Sequence, residues 1–214
     1  MRNRFDEQLL ELNKEIIEMG SMCEEMIASA AKALSDGDPH LAARVVRESP
    51  AIDQMEREIE TRCMKLLLHQ QPVARDLRLI SSALKMITDM ERIGDQAEDI
   101  AEIVKHLKGH TVDGVELIQE MAKETIGMVT SSVDAFVEKD LELAKAVLVR
   151  DDIVDNYFLE VKRDIISLVT KDPAEGEFAL DFLMIAKYLE RIGDHATNIA
   201  EWVIYCITGV HEEV

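Results

Sequence analysis

The stretch ERIGDQAEDIAE, residues 91–102, returns as ERIGDHATNIAE at residues 190–201, with nine of the twelve positions identical. The two starts lie 190 − 91 = 99 residues apart. The likeness spreads outward from there. DPHLAARVVRESPAID (38–53) aligns with DLELAKAVLVRDDIVD (140–155) at an offset of 102, pairing Asp38 with Asp140, Leu41 with Leu143, Val45 with Val147 and Asp53 with Asp155. At the same offset Ile16, Met19 and Met26 align with Ile118, Met121 and Met128. Past HQQPVARD (69–76) the offset falls to 99, so the second copy is 102 − 99 = 3 residues shorter there. The chain is therefore one design of about a hundred residues written twice, a unit too long for a many-repeat solenoid. The expected units are 1–109 and 110–214.

Each unit reads as helical. Hydrophobic residues make up 47% of the chain but aromatic ones only 4%, and Leu, Ile, Ala, Met, Glu and Lys dominate where a strand would want β-branched and aromatic residues. Apolar residues at helical spacing (Leu9, Leu12, Ile16, Met19, Met26, Ala30, Leu34) predict a helix from Phe5 to Leu34. In SDGDP, Asp38 supplies an N-cap and Pro39 a first helical position. Ser49-Pro50 repeats that pattern, so a short helix precedes a longer one over 51–69. A third helix is predicted from Asp76 to Leu107, and the second copy yields 115–137, 140–170 and 177–207. The fold class expected is all-α: two tandem, pseudo-symmetric three-helix bundles.

The formal charge is −19, from 24 basic and 43 acidic side chains, which argues against a nucleic-acid partner. Cys23, Cys63 and Cys206 are scattered without C-x-x-C spacing, as in a reduced cytoplasmic protein. No secretory leader is read before Phe5 and no run of 18 apolar residues occurs, so a cytoplasmic, non-spanning chain is expected. No phosphate-binding glycine loop and no Ser-His-Asp or Cys-His arrangement is present.

The repeated motif is acidic in a particular way. With about 100° per residue and Glu91 at zero, Asp95 lies near 40°, Asp99 near 80° and Glu102 near 20°. Met90, Gly94, Ala97, Ala101 and Val104 form the neighbouring apolar stripe, so the acids flank the buried face. Glu190, Asp194, Asn198 and Glu201 repeat the pattern. Carboxylates stacked at i, i+4 repel one another, and at the edge of a core they also lose hydration. A chain that accepts this twice is expected to hold cations there; Arg92 and Arg191 are too few to neutralise the stripes. The preceding helix adds Asp53, Glu56 and Glu60 on one face, of which only Asp155 persists in the second copy, where Phe158 and Lys162 align with the other two and Asp152 and Glu160 lie nearby. An oxygen-only carboxylate set suits Fe, Mn, Mg or Ca, with Zn also compatible.

The doubled ERIGD motifs, AIDQMEREIE (51–60) and QQPVARDLRLI (70–80) together resemble the PhoU family of phosphate-transport regulators, over essentially the whole chain. The resemblance implies two tandem three-helix bundles and E(D)-x-x-x-D motifs that bind multinuclear iron or zinc. It also implies negative regulation of phosphate uptake and of the phosphate-starvation response, through the ATPase subunit of the Pst transporter and a PhoR-type sensor histidine kinase. Such a protein sits peripheral to the membrane through its partners, carries out no catalysis of its own, and is allowed to be a homodimer. Carried over position by position, the motif residues are Glu91, Asp95 and Asp99, then Glu190, Asp194 and Asn198; Asn198 keeps an oxygen but drops a charge. Asp53 and Asp155 complete the expected metal set. Two rivals stand beside this reading. A carboxylate-bridged metalloenzyme would be expected to show Glu-x-x-His pairs, and none occurs. A metal-free helical scaffold would use its acids only to meet a basic partner.

Overall fold

The computed structural model describes residues 2–70, 73–107 and 115–210. They form seven α-helices: α1 (Arg2–Asp36), α2 (Pro39–Glu48), α3 (Pro50–Gln70), α4 (Ala74–His106), α5 (Val115–Glu138), α6 (Leu141–Lys171) and α7 (Gly176–Thr208), with a 3-10 turn at Pro173–Glu175. No strand occurs among the described residues. The expected unit boundary at 109/110 lies outside them. The first helix starts at Arg2, a turn before the expected Phe5.

The second helix of each repeat begins in the same way. Asp38 accepts hydrogen bonds from the backbone N–H groups of His40 and Leu41, and Asp140 from those of Glu142 and Leu143, so each caps the orphan donors of a helix start. The residue before each cap is left-handed: Gly37 (φ 62°) in the first repeat and Lys139 (φ 58°) in the second. The backbone N–H of Asp38 donates to Ala33 at 2.9 Å and that of Asp140 to Ala135 at 3.0 Å, so the two turns share one geometry. Pro50 then splits the first copy into α2 and α3, because proline has no N–H to continue the ladder. The break is slight, since Ser49 keeps helical dihedrals (φ −50°, ψ −45°). In the second copy Asp151-Asp152 stands there and α6 runs through unbroken.

The packing follows the duplication. α1 touches α2, α3 and α4, as α5 touches α6 and α7. Across the repeats α4 packs on α7 and α1 on α5, while α1 does not meet α7. Four helices, in the order α1, α4, α7, α5, thus close a central ring, flanked by α2–α3 on one side and α6 on the other. One hydrophobic cluster runs through both repeats, including Met19, Ile52, Met90 and Ile93 from the first and Met121, Val154, Leu189 and Ile192 from the second. The two bundles are therefore fused along a shared core. Polar bonds reinforce the seam: Gln119 donates to Ser35 at 2.7 Å and Thr130 to Glu24 at 2.8 Å. Cys23 and Cys63 are buried, and burial pushes both thiols up to about 12, which keeps them protonated and inert.

Candidate metal centre

In the first repeat Asp53 of α3 meets Glu91 and Asp95 of α4, and one carboxylate oxygen from each lies within 4.8 Å of the others. Two features of the sequence bring them together. Glu91 and Asp95 sit one helical turn apart, and Gly94 between them lets α3 approach: a Cβ at Gly94 would lie 2.9 Å from the Ile52 Cδ1 atom. The Glu91 side chain is 19% exposed, and burial followed by the charge of Asp95 raises its carboxyl above the usual range; Arg92 opposes this, while Glu56 and Asp53 add to it. Arg92 is the local counter-charge, with Nε 3.4 Å from Glu91 and a guanidinium nitrogen 3.2 Å from Asp95. Thr88 donates to Glu56 at 3.3 Å, which holds that carboxylate beside the group. Glu60, two turns along α3, is exposed and stands outside it.

In the second repeat Asp155 of α6 feels the charge of Glu190 of α7, and Asp151, an acid the sequence reading passed over, feels Asp155, Asp194 and Glu190, but among the described residues these carboxylates do not close to the spacing of the first-repeat group. Asp151 lies one turn before Asp155, and burial, reinforced by Asp155, Asp194 and Glu190, pushes its carboxyl up to about 6. Its Oδ1 would lie 3.2 Å from a Cβ at Gly193, so it occupies the crossing that Ile52 borders in the first repeat. Asp152 and Glu160, weighed in its place, are exposed. The signal was the i, i+4 pair 151/155 facing the i, i+4 pair 190/194; its alignment with the neutral Ser49 hid it. Asp155 is raised by burial, Glu190 and Asp152, and lowered by Lys187.

Asp99 and Asn198 go elsewhere. Burial and Asp95 raise the Asp99 carboxyl, while a hydrogen bond from the Tyr188 hydroxyl and the nearby Arg191 lower it, so Asp99 faces α7. Asn198 donates to Asp89 Oδ1 at 3.1 Å, and His195 Nδ1 bonds the same oxygen at 2.9 Å. Tyr188 aligns with Asp89 and Asn198 with Asp99 at the offset of 99, so these are the two symmetry-related contacts of the α4–α7 seam. The last motif position is about 80° round the helix from the first, far enough to reach the neighbouring helix of the other repeat.

The first-repeat donor set is oxygen-only and partly shielded, and its three carboxylates and the adjacent Glu56 outnumber the two arginines that reach it, Arg92 and, 4.0 Å from Asp53, Arg57. That is the chemistry of a seat for a hard cation, to which Asp53, Glu91 and Asp95 would supply the ligands with Glu56 adjacent. Asp151, Asp155, Glu190 and Asp194 offer the second repeat a similar set of oxygens, with the Lys187 ammonium already on Glu190.

Comparison with known proteins matches the same two halves. The PhoU domain model matches residues 16–104 and again 118–203. The chain is 40% identical over 210 residues to a protein of Clostridium acetobutylicum described as phosphate-specific transport system accessory protein PhoU homolog, covering 97% of this chain and 96% of that one. It is 36% identical over 208 residues to the homolog so described from Pseudomonas aeruginosa, covering 96% and 86%. Among solved structures it superimposes on PhoU from Pseudomonas aeruginosa with a TM-score of 0.91 at 36% identity, covering 96% of this chain and all of that one. It also superimposes on the phosphate transport system regulatory protein PhoU from Streptococcus pneumoniae with a TM-score of 0.89 at 28% identity, covering 98% and all.

Proposed function

The chain belongs to the PhoU family, and from that premise we propose that it is a cytoplasmic negative regulator of phosphate uptake and of the phosphate-starvation response. The family is one of accessory proteins of phosphate-specific transport, not of enzymes. The observation that carries the proposal is the full-length match to those accessory proteins. The partners proposed are the ATPase subunit of the phosphate transporter and a PhoR-type sensor histidine kinase. No described helix is long and apolar enough to cross a membrane, so docking on these partners is the means by which the protein would work at the membrane face.

We further propose that the acidic clusters bind metal, iron or zinc in keeping with the family and Mn, Mg or Ca by donor chemistry. The closeness of Asp53, Glu91 and Asp95 supports this, since three carboxylates are costly to hold together without a cation. A bound cation would remove that repulsion, and the chain's own residues would tie α3 to α4 through it. Two measurements test the reading. Deleting the gene should leave phosphate-starvation genes on in phosphate-rich medium; normal shut-off in the deletion strain would overturn the regulator. Asp95→Ala and Asp194→Ala should each lower bound metal, by elemental analysis of protein purified without chelator, more than Glu98→Ala does. Equal losses in all three would remove these positions as ligands.

A further inference from the structure

The motif QQPVARDLRLI carries two arginines that the readings above leave unused. Arg75, Arg78 and Ser82 stand at i, i+3 and i+7 on the first turns of α4, which puts them on one face. Val73, the N-cap residue of α4, has no side-chain oxygen to offer the first N–H groups. The Arg78 guanidinium lies 3.6 Å from the position a Cβ would take at Gly209, the C-cap of α7. Its Nε is shut off from water and has no hydrogen-bond partner among the described residues, and a buried donor left unpaired is costly. A third cation comes from the second repeat. Lys139, in the turn between α5 and α6, acts on the Cys206 thiol of α7 together with Arg78 and Arg75; burial raises that thiol, and the Ser82 hydroxyl and then these three cations lower it. The leading charges felt at Cys206 are thus all positive, in a chain of net charge −19.

Lys139 also holds its place against the backbone. Its φ of 58° belongs to the left-handed region, where the first repeat places Gly37. Strain of that kind gathers where a particular side chain is needed for function. We propose that Arg75, Arg78 and Lys139 form a seat for a phosphate-type oxyanion, at the end of the molecule where α4 begins and α7 ends. Arginine pairs two N–H groups with two phosphate oxygens, and lysine adds a point charge. An oxyanion there would give Arg78 Nε the acceptor it lacks. Arg75 and Lys139 are exposed, so the seat opens to solvent. Asp76, Glu138 and Asp140, the acids next in sequence, are not among the leading influences at Cys206, and Asp140 is already engaged by the N–H groups of Glu142 and Leu143. The second repeat has no twin of this seat, because Glu177 aligns with Arg78 at the offset of 99. The inference needs no metal at the acidic clusters and stands apart from the regulator reading.

The test uses the full chain after chelator treatment, so that no cluster-bound metal can hold the anion. Inorganic phosphate is titrated by calorimetry, and binding to phosphatidylcholine vesicles containing phosphatidic acid is followed by flotation. The two arms separate a free oxyanion from a lipid headgroup. Lys139→Gly should weaken binding about tenfold, the effect of one lost charge-assisted hydrogen bond, although it relieves the turn and melts no lower than wild type. Arg75→Gln should weaken binding likewise. Arg78→Lys, which keeps the charge and loses the paired N–H groups, should weaken it too. Lys32→Gln, near the C-terminal end of α1, should bind as wild type does. Phosphate uptake that is lost in the first three variants assigns the seat to a free oxyanion; vesicle binding lost in them, without phosphate uptake, assigns it to a headgroup. No binding in either arm, or binding that survives Lys139→Gly and Arg75→Gln, overturns the inference and leaves the metal and regulator readings standing.

Discussion

The two repeats solve one packing problem with different side chains. Where the third helix crosses the second, the first repeat sets the branched side chain of Ile52 2.9 Å from the Cβ position of Gly94, while the second sets the carboxylate of Asp151 nearest Gly193 at 3.2 Å, with Val154, the residue aligned with Ile52, drawn back to 3.5 Å. Beside that crossing the first repeat stacks a fourth acid, Glu56, one turn after Asp53; the second places its fourth acid, Asp151, one turn before Asp155 and fills the other end with Phe158 and Lys187. The number of acids is kept and their position along the helix is shifted. The lesson is that the duplicated backbone dictates where helices cross, while the charges around the crossing have diverged.

The glycines give the largest test of that difference. Ile52 is 1% exposed and its Cδ1, Cγ2 and Cβ atoms would lie 2.9, 3.3 and 3.5 Å from a new Cβ at Gly94, so the isoleucine has nowhere to turn. Overfilling a core costs about 1–3 kcal/mol, against roughly 1 kcal/mol gained by replacing a helical glycine with alanine. Gly94→Ala should therefore lose up to about 2 kcal/mol. At Gly193 the closest atom is a carboxylate oxygen that can rotate, so Gly193→Ala should be neutral or gain up to about 1 kcal/mol. Urea denaturation of chelator-treated protein reads both, and equal shifts would break the contrast.

A smaller effect separates the two turns before the second helices. Gly37 adopts a left-handed conformation at no steric cost, whereas Lys139 adopts the same one against a penalty of about 1 kcal/mol. Lys139→Gly should stabilise the protein by about 0.5–1 kcal/mol and Gly37→Ala should destabilise it by a similar amount. Thermal unfolding measures both; a Lys139→Gly variant that melts lower would mean that the turns are not equivalent.

The pH dependence of the metal-free protein should belong more to the second repeat than to the first. Asp151 is raised from 3.8 to about 6, so the folded chain holds a proton that the unfolded chain releases. The stability this proton contributes is full below about 4 and is lost as pH rises through about 6. Metal-free protein should accordingly become more stable as pH falls from 7 to 5. Asp151→Asn should flatten that rise and stabilise the protein at pH 7, as followed by denaturation at each pH; an unchanged slope would show that the acids of the first repeat dominate.

Much of this was legible in the residues. Asp38-Pro39, Pro50 and the offset of 102 placed the helix starts and the pairing of the repeats, because caps and prolines act on their own few neighbours, although Ser49, expected to repeat the cap, keeps helical dihedrals instead. Asp53, Glu91 and Asp95 could be put on facing stripes for the same reason. Asp99 and Asn198 could not be separated from them, because a helical wheel gives the direction of a side chain but not which helix stands there. The fusion of the two cores was hidden likewise: the apolar faces of α4 and α7 are each consistent with a closed three-helix bundle. Asp151 was obscured because its partner in the repeat, Ser49, is buried and neutral, so comparing the copies subtracted it.

The ring of four helices also has a consequence in time. α4 ends at His106, and the helix that covers its inner side, α7, is complete only at Thr208, 208 − 106 = 102 residues later. At a synthesis rate of about 5–20 residues per second this leaves the first repeat half-covered for roughly 5–20 s on the ribosome. Through that interval α1 and α4 present the faces that α5 and α7 will later occupy.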